Sequence, residues 1–125
     1  MSSRKLVWSG RVVSFFAALP FAPSAAMKLV RHPEVVKGMA QLQLPDSMIL
    51  PLGILELLCL VVYVVPRTAV LGAILLTGYI GGAMLTHLRL GEPVYVHVVL
   101  GVLVWLGLFL REPRLRSLIP LRTKP

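Results

Sequence analysis

Acidic residues are scarce in this chain. Five Asp and Glu stand against 13 Lys and Arg, for a formal charge of +8, and charged residues make up only 14% of the whole. Cysteine is nearly absent: a lone Cys59 excludes an internal disulfide and a Cys-x-x-Cys redox pair. Its apolar neighbours suit an inert packing thiol. Gly-rich phosphate loops, nucleophile elbows and zinc-ligand spacings are missing too, and with them the usual signatures of nucleotide, serine-hydrolase and zinc chemistry. The basic segments lack the interleaved aromatics on which bases stack. So positive a chain is therefore not read as a nucleic-acid binder.

What the chain has is hydrocarbon. Of its 125 residues 57% are apolar, and the mean hydropathy is +0.83. A single soluble domain of this length has too little interior to hide that much apolar surface. Lipid is the expected solvent, and the fold class expected is an all-α, integral membrane four-helix bundle, one domain over residues 1–125.

The spans fall at about 6–27, 48–65, 69–87 and 94–110, with a basic tail over 111–125. The first follows Arg4 and Lys5 and is interrupted by Arg11 and Pro20; it is long enough to cross if Arg11 snorkels to the headgroups. Its alternative is a secretory signal with Ser24-Ala25-Ala26 as a cleavage site. Residues 28–47 are more polar. There Val35, Val36, Met39, Ala40 and Leu42 recur at helical spacing, Pro33-Glu34 suits a helix start and Pro45 a stop. An interfacial helix and a solvated loop both fit. Pro51 suits the first turn of the second span, Pro66 closes it, and Thr68 is placed to cap the third. The short Pro66-Arg67-Thr68 link makes spans two and three antiparallel neighbours. Gly78 and Gly82 form a small-xxx-small pair, which predicts close helix packing. Pro93 suits a first helical position, Tyr95 stands at the outer end of span four with Trp105 deeper, and Pro113 and Pro120 argue against a further long helix.

Lys and Arg set the orientation. Arg4, Lys5, Arg11, Arg67, Arg111, Arg114, Arg116, Arg122 and Lys124 fall on one face, and Lys28, Arg31, Lys37 and Arg89 on the other. Both termini are thus expected in the cytoplasm, with the tail against anionic headgroups.

This topology brings ionisable groups together near the outer face. Lys28 ends span one there, His87 and Arg89 end span three, His97 lies in the first turns of span four, and Tyr79 precedes His87 by two turns. Glu56 is roughly 12 Å along span two from the same side. Charge inside a bilayer is costly and faces inward, paired. Glu56 therefore either neutralises Lys28 or Arg89 and locks helices together, or works with His87 on protons in a cavity that Lys28, Tyr79, Arg89 and His97 help to form. The second option suits a lipophilic substrate such as a quinone, whose reduction moves protons with electrons. A haem or metal on His87 and His97 has no diagnostic spacing, so no metal is assigned.

Lys28-Leu29, Gly53-Ile54-Leu55-Glu56, Pro66-Arg67-Thr68-Ala69-Val70-Leu71-Gly72-Ala73, Gly78-Tyr79, Gly82-Ala83 and His87-Leu88-Arg89 together resemble the DoxX-like membrane proteins. The likeness runs from about residue 10 to 110; His97 and the basic tail lie outside its pattern. It implies a four-helix protein of the bacterial inner membrane, with polar positions at Lys28, Glu56, His87 and Arg89. Its functional implication is a small subunit or accessory of a quinone-linked redox system, possible partners being redox proteins or further copies of the chain. Membrane-embedded isomerases and cyclases of lipophilic substrates, where an intramembrane acid starts the reaction, are similar to the broader group. A scaffold whose charges only pair helices is the third option.

Overall fold

A computed structural model describes residues 3–123; Lys124, assigned above to the basic tail, lies outside them. Among the described residues there are helices and turns and no strands. Seven α-helices follow one another: α1 Ser3–Ala18, α2 Phe21–Leu29, α3 Pro33–Gln41, α4 Ile49–Val64, α5 Ala69–Leu88, α6 Tyr95–Arg111 and a single turn, α7, Pro113–Arg116.

The first apolar run is two helices rather than one. Pro20 has no N–H to continue the ladder and its ring crowds the preceding turn, so α1 stops at Ala18 and α2 restarts at Phe21. Taken together they still form an apolar stretch of 27 residues. With Asp46–Val64 and Pro66–Leu88 this gives three segments long and apolar enough to cross a membrane; α6 is shorter, at 17 residues, near the lower limit of ~17 for a span. Their outward faces carry exposed Phe15, Phe16, Leu58, Leu71, Ile74 and Val102. Such a continuous apolar exterior fits lipid rather than water.

The helices close into a bundle by neighbour contacts: α1 on α6, α6 on α5, α5 on α4, and α4 on α2. Two of these contacts, α1 on α6 and α5 on α4, are seated on glycine. A Cβ at Gly10 would lie 2.5 Å from the Arg111 backbone nitrogen, one at Gly107 2.8 Å from that of Ser14, and one at Gly72 2.2 Å from Tyr63 Cα. Gly78 and Gly82, expected to pack a helix closely, do not: nothing lies within 4 Å of a Cβ at either. Small residues suit a tight contact and a hollow equally well, and here they line a hollow. Two expected helix starts also differ. Thr68 makes no capping bond and donates instead to the Val62 carbonyl at 2.7 Å. Pro93 lies before the helix, since α6 begins at Tyr95.

The far ends of α4 and α6 are solid. Tyr63, fully buried, donates to the Val104 carbonyl at 2.7 Å and lies 3.2 Å from Ser14 Oγ. The Arg111 guanidinium sits 5.0 Å over the Tyr63 ring and donates to the Tyr63 carbonyl at 3.2 Å. At the near ends the connection 30–48 folds into α3. His32 caps it, its Nδ1 accepting from the Glu34 amide at 3.2 Å, with Pro33 as first residue. Arg31 (φ 54°) and Gln43 (φ 61°) take left-handed backbone on either side of it, a conformation that costs a side-chain-bearing residue about 1–2 kcal/mol. Arg31 pairs with Asp46 and closes the connection on itself, while Arg89, past the end of α5, ties this strap to the bundle through the Leu42 carbonyl.

Candidate functional site

The site is built where α2 meets α4. Gly53 and Glu56, three residues apart, share one face of α4. A Cβ on Gly53 would be 2.8 Å from Lys28 Cβ, so its absence lets α2 lie close at that level. Lys28 then reaches Glu56 from above: Nζ lies 2.9 Å from Glu56 Oε1 and 2.8 Å from Ser24 Oγ. Ser24, one turn back on α2, donates to the same Oε1 at 3.0 Å. Lysine, serine and carboxylate form a closed triangle. Glu56 is only 2% exposed and the Lys28 side chain 14%, so the charge is both buried and neutralised.

Both bonds from α2 fall on Oε1, and Oε2 is not taken up by that helix. Tyr79 of α5 lines the same space and is within electrostatic reach of the carboxylate. Beside these groups is a cavity of about 590 Å³, within the ~300–1,000 Å³ of small-molecule sites. Its walls are mainly apolar: Phe21, Leu52, Leu55, Ile80 and Leu100, with Met39 and Leu42 of the strap above. Gly78, Gly82 and Ala83 form the α5 wall, and their small size is what leaves the space. The cavity lies between α2, which restarts after Pro20, and the first turns of α6, lined by Phe21, Ser24 and Lys28 on one side and His97 and Leu100 on the other.

Of the six residues singled out in the sequence, five line this cavity: Lys28, Glu56, Tyr79, His87 and His97. Arg89 does not. Its guanidinium is spent on the Leu42 carbonyl, and among the described residues Lys28 alone answers Glu56. The helix end that holds Arg89 faces the strap, whereas Gly53 brings Lys28 to the acid. His87 bonds through Nδ1 to Glu92 Oε2 at 2.6 Å rather than to Glu56, and its ring lies 4.7 Å from that of His97, tilted by 44°. His97 Nδ1 is buried with no hydrogen-bond partner among the described residues.

Two participants, Ser24 and Glu92, do not stand out in the sequence. Ser24 sits in a small-residue stretch that equally suits a signal cleavage site, and Glu92 looks like one more turn residue. A signal for Ser24 does exist in hindsight: it precedes Lys28 by four, which places both on one face of a helix. No three of His, Cys, Asp and Glu come together as a metal site among the described residues.

Nothing matches the chain among curated proteins or among solved structures. The family model for DoxX-like proteins matches residues 12–109, a stretch that contains Ser24, Lys28, Glu56, Tyr79, His87, Arg89, Glu92 and His97. With apolar helices of spanning length and this match over most of its length, the chain is an integral membrane protein that belongs to the DoxX-like family.

Proposed function

We propose that this protein takes a lipophilic, oxygen-bearing small molecule into the cavity and handles a proton at it. One observation carries this: a carboxylate buried in the middle of an apolar helix is pinned on one oxygen and borders a hollow with its other side. A charge kept only to join α2 to α4 gains nothing from a cavity beside it. A quinone or quinol fits the surroundings. Its ring and tail suit the apolar walls, and its oxygens exchange protons as electrons move. Lys28 and Tyr79 are the donors near Glu56, and Glu56 is the acceptor. His87 and His97 supply imidazole nitrogen at the other end of the cavity. Electrons reach the ligand from a protein partner, so the chain serves as a small subunit or accessory of a quinone-linked system.

The same reading sets the molecule in the bacterial inner membrane as one domain, with helices antiparallel, the first apolar segment retained and both termini cytoplasmic. Retention is favoured because α2 supplies Ser24 and Lys28; cleavage after Ala26 would remove α1 and Ser24 and leave Glu56 without its serine. A second reading is favoured by the three protic side chains gathered round Glu56: acid–base isomerisation or cyclisation of a lipid, which needs no electrons.

The test is purification in mild detergent and identification of the bound small molecule in wild type and in the double variant Lys28→Met/Glu56→Gln. Removing both charges of a buried pair commonly leaves stability unchanged or improved. The double variant should therefore fold and lose the molecule. If it folds and retains the molecule in full, the pair serves only to join helices. A bound quinone supports the first reading, and a lipid converted to a product of equal mass the second.

A further inference from the structure

Glu92 lies just past the end of α5, in the turn that leads to α6. Gly91 takes φ +75°, a conformation natural to glycine, and the Glu92 amide bonds back to the His87 carbonyl at 3.0 Å. That closure folds the Glu92 side chain over the last turn of α5 and onto the His87 ring, Oε2 at 2.6 Å from Nδ1. Building on the cavity as a ligand site, we infer that Glu92 is a positioning residue: it fixes His87 so that Nε2 accepts a hydrogen bond from a hydroxyl of the bound lipophile.

The chemistry follows from what each group can do. An ionised carboxylate only accepts, and a neutral imidazole carries one donor and one acceptor nitrogen. With Nδ1–H committed to Glu92, Nε2 holds the lone pair. The same device sets imidazole tautomers wherever a carboxylate backs a functional histidine. His87 is part of the cavity wall, and among the described residues Nδ1–Glu92 is its one hydrogen bond. The ring is flanked by His97, itself uncommitted at Nδ1. Arg89, two residues on, is turned to the strap. At the other wall Ser24 and Lys28 are committed to Glu56, and Tyr79 lines the cavity with them. His87 therefore presents an acceptor at Nε2, and the ligand group that meets it must bring the donor. A phenol, alcohol or hydroquinone satisfies it; an ether of the same shape does not. The bland alternative is an imidazolium–carboxylate clip that merely closes the turn, with Nε2 protonated as well.

The experiment uses the full chain in detergent micelles with ¹⁵N-labelled histidine at mildly alkaline pH, His87 being assigned by its loss in His87→Gln. The wild type should show neutral His87 as the Nδ1–H tautomer. Glu92→Ala should shift it toward Nε2–H, and Glu92→Gln, whose amide oxygen still accepts, should keep it. Binding of para-decylphenol and para-decylanisole is measured on the same samples. The phenol should bind about tenfold more tightly than the ether, the worth of one hydrogen bond, in wild type and Glu92→Gln but not in Glu92→Ala. An imidazolium in the wild type, or a tautomer indifferent to Glu92→Ala, overturns the inference. Equal binding of both probes overturns the hydroxyl assignment while the cavity stands as a ligand site. If neither probe binds although the Nδ1–H tautomer is present, the ligand site itself falls and Glu92's hold on the ring stands.

Discussion

A lone carboxylate in hydrocarbon is too costly to persist, so Glu56 depends on what α2 brings to it. Breaking a buried pair by removing one partner costs about 3–5 kcal/mol. Lys28→Met alone should therefore destabilise the bundle by about that much, and adding Glu56→Gln should restore most of it. Equilibrium unfolding in mixed micelles measures both. A single variant as stable as the wild type would mean that Glu56 has another partner. At this scale the sequence reveals charges but not their pairing. Glu56 stands out because it interrupts an apolar run, and Lys28 and Arg89 look alike because each ends a helix on the same side. Which of them reaches the acid is decided by a helix contact at Gly53. Ser24 and Glu92 remain silent for a different reason: serine is ordinary in membrane helices, and an acid in a turn is ordinary anywhere.

Glycine is where the elements become specific. Gly72 is seated against the backbone of Tyr63, which cannot move aside, whereas Gly78 faces open space. Gly72→Ala should thus loosen α4 from α5 and destabilise by at least ~1–3 kcal/mol. Gly78→Ala should be neutral or stabilising by about 0.5–1 kcal/mol, from helix propensity alone. The same unfolding measurement separates them, and equal losses would contradict the assigned contacts. The positions of α4, α5 and α6 were legible from apolar runs and prolines, within two residues. The amphipathic spacing that marks α3 fits its Met39, which is buried and lines the cavity. What spacing could not show was the break at Pro20, because proline is tolerated in membrane helices, or the use of the small-residue stripe. A stripe of glycine means that something comes close or that space is left, and composition does not distinguish the two.

At the scale of the whole molecule, one end of the bundle is solid around Tyr63, with an open apolar groove along the outside of α6, and the other is hollow. Tyr63, Ser14, Val104 and Arg111 bind α1, α4 and α6 at the solid end. The hollow end holds the acid, the two imidazoles and the strap. Basic residues concentrate toward the solid end, at Arg4, Arg67, Arg111, Arg114 and Arg116, which predicts by the positive-inside tendency that it faces the cytoplasm. A cytoplasm-active reporter fused after the C-terminus should be active, and one placed in the 30–48 connection should not; the reverse pattern would invert the molecule.

The most direct measurement of the central claim leaves every polar residue in place. Gly82 lines the cavity and has open space where a Cβ would be, so Gly82→Leu fills the hollow without touching the Ser24–Lys28–Glu56 triangle. Wild type and variant are purified from membranes in mild detergent, and the small molecules they carry are quantified by mass spectrometry. The wild type should carry a lipophilic, oxygen-bearing compound near stoichiometric amount, and Gly82→Leu, equally well folded, should have lost it. A wild type with nothing beyond bulk phospholipid, or a variant that retains the compound undiminished, would contradict the account.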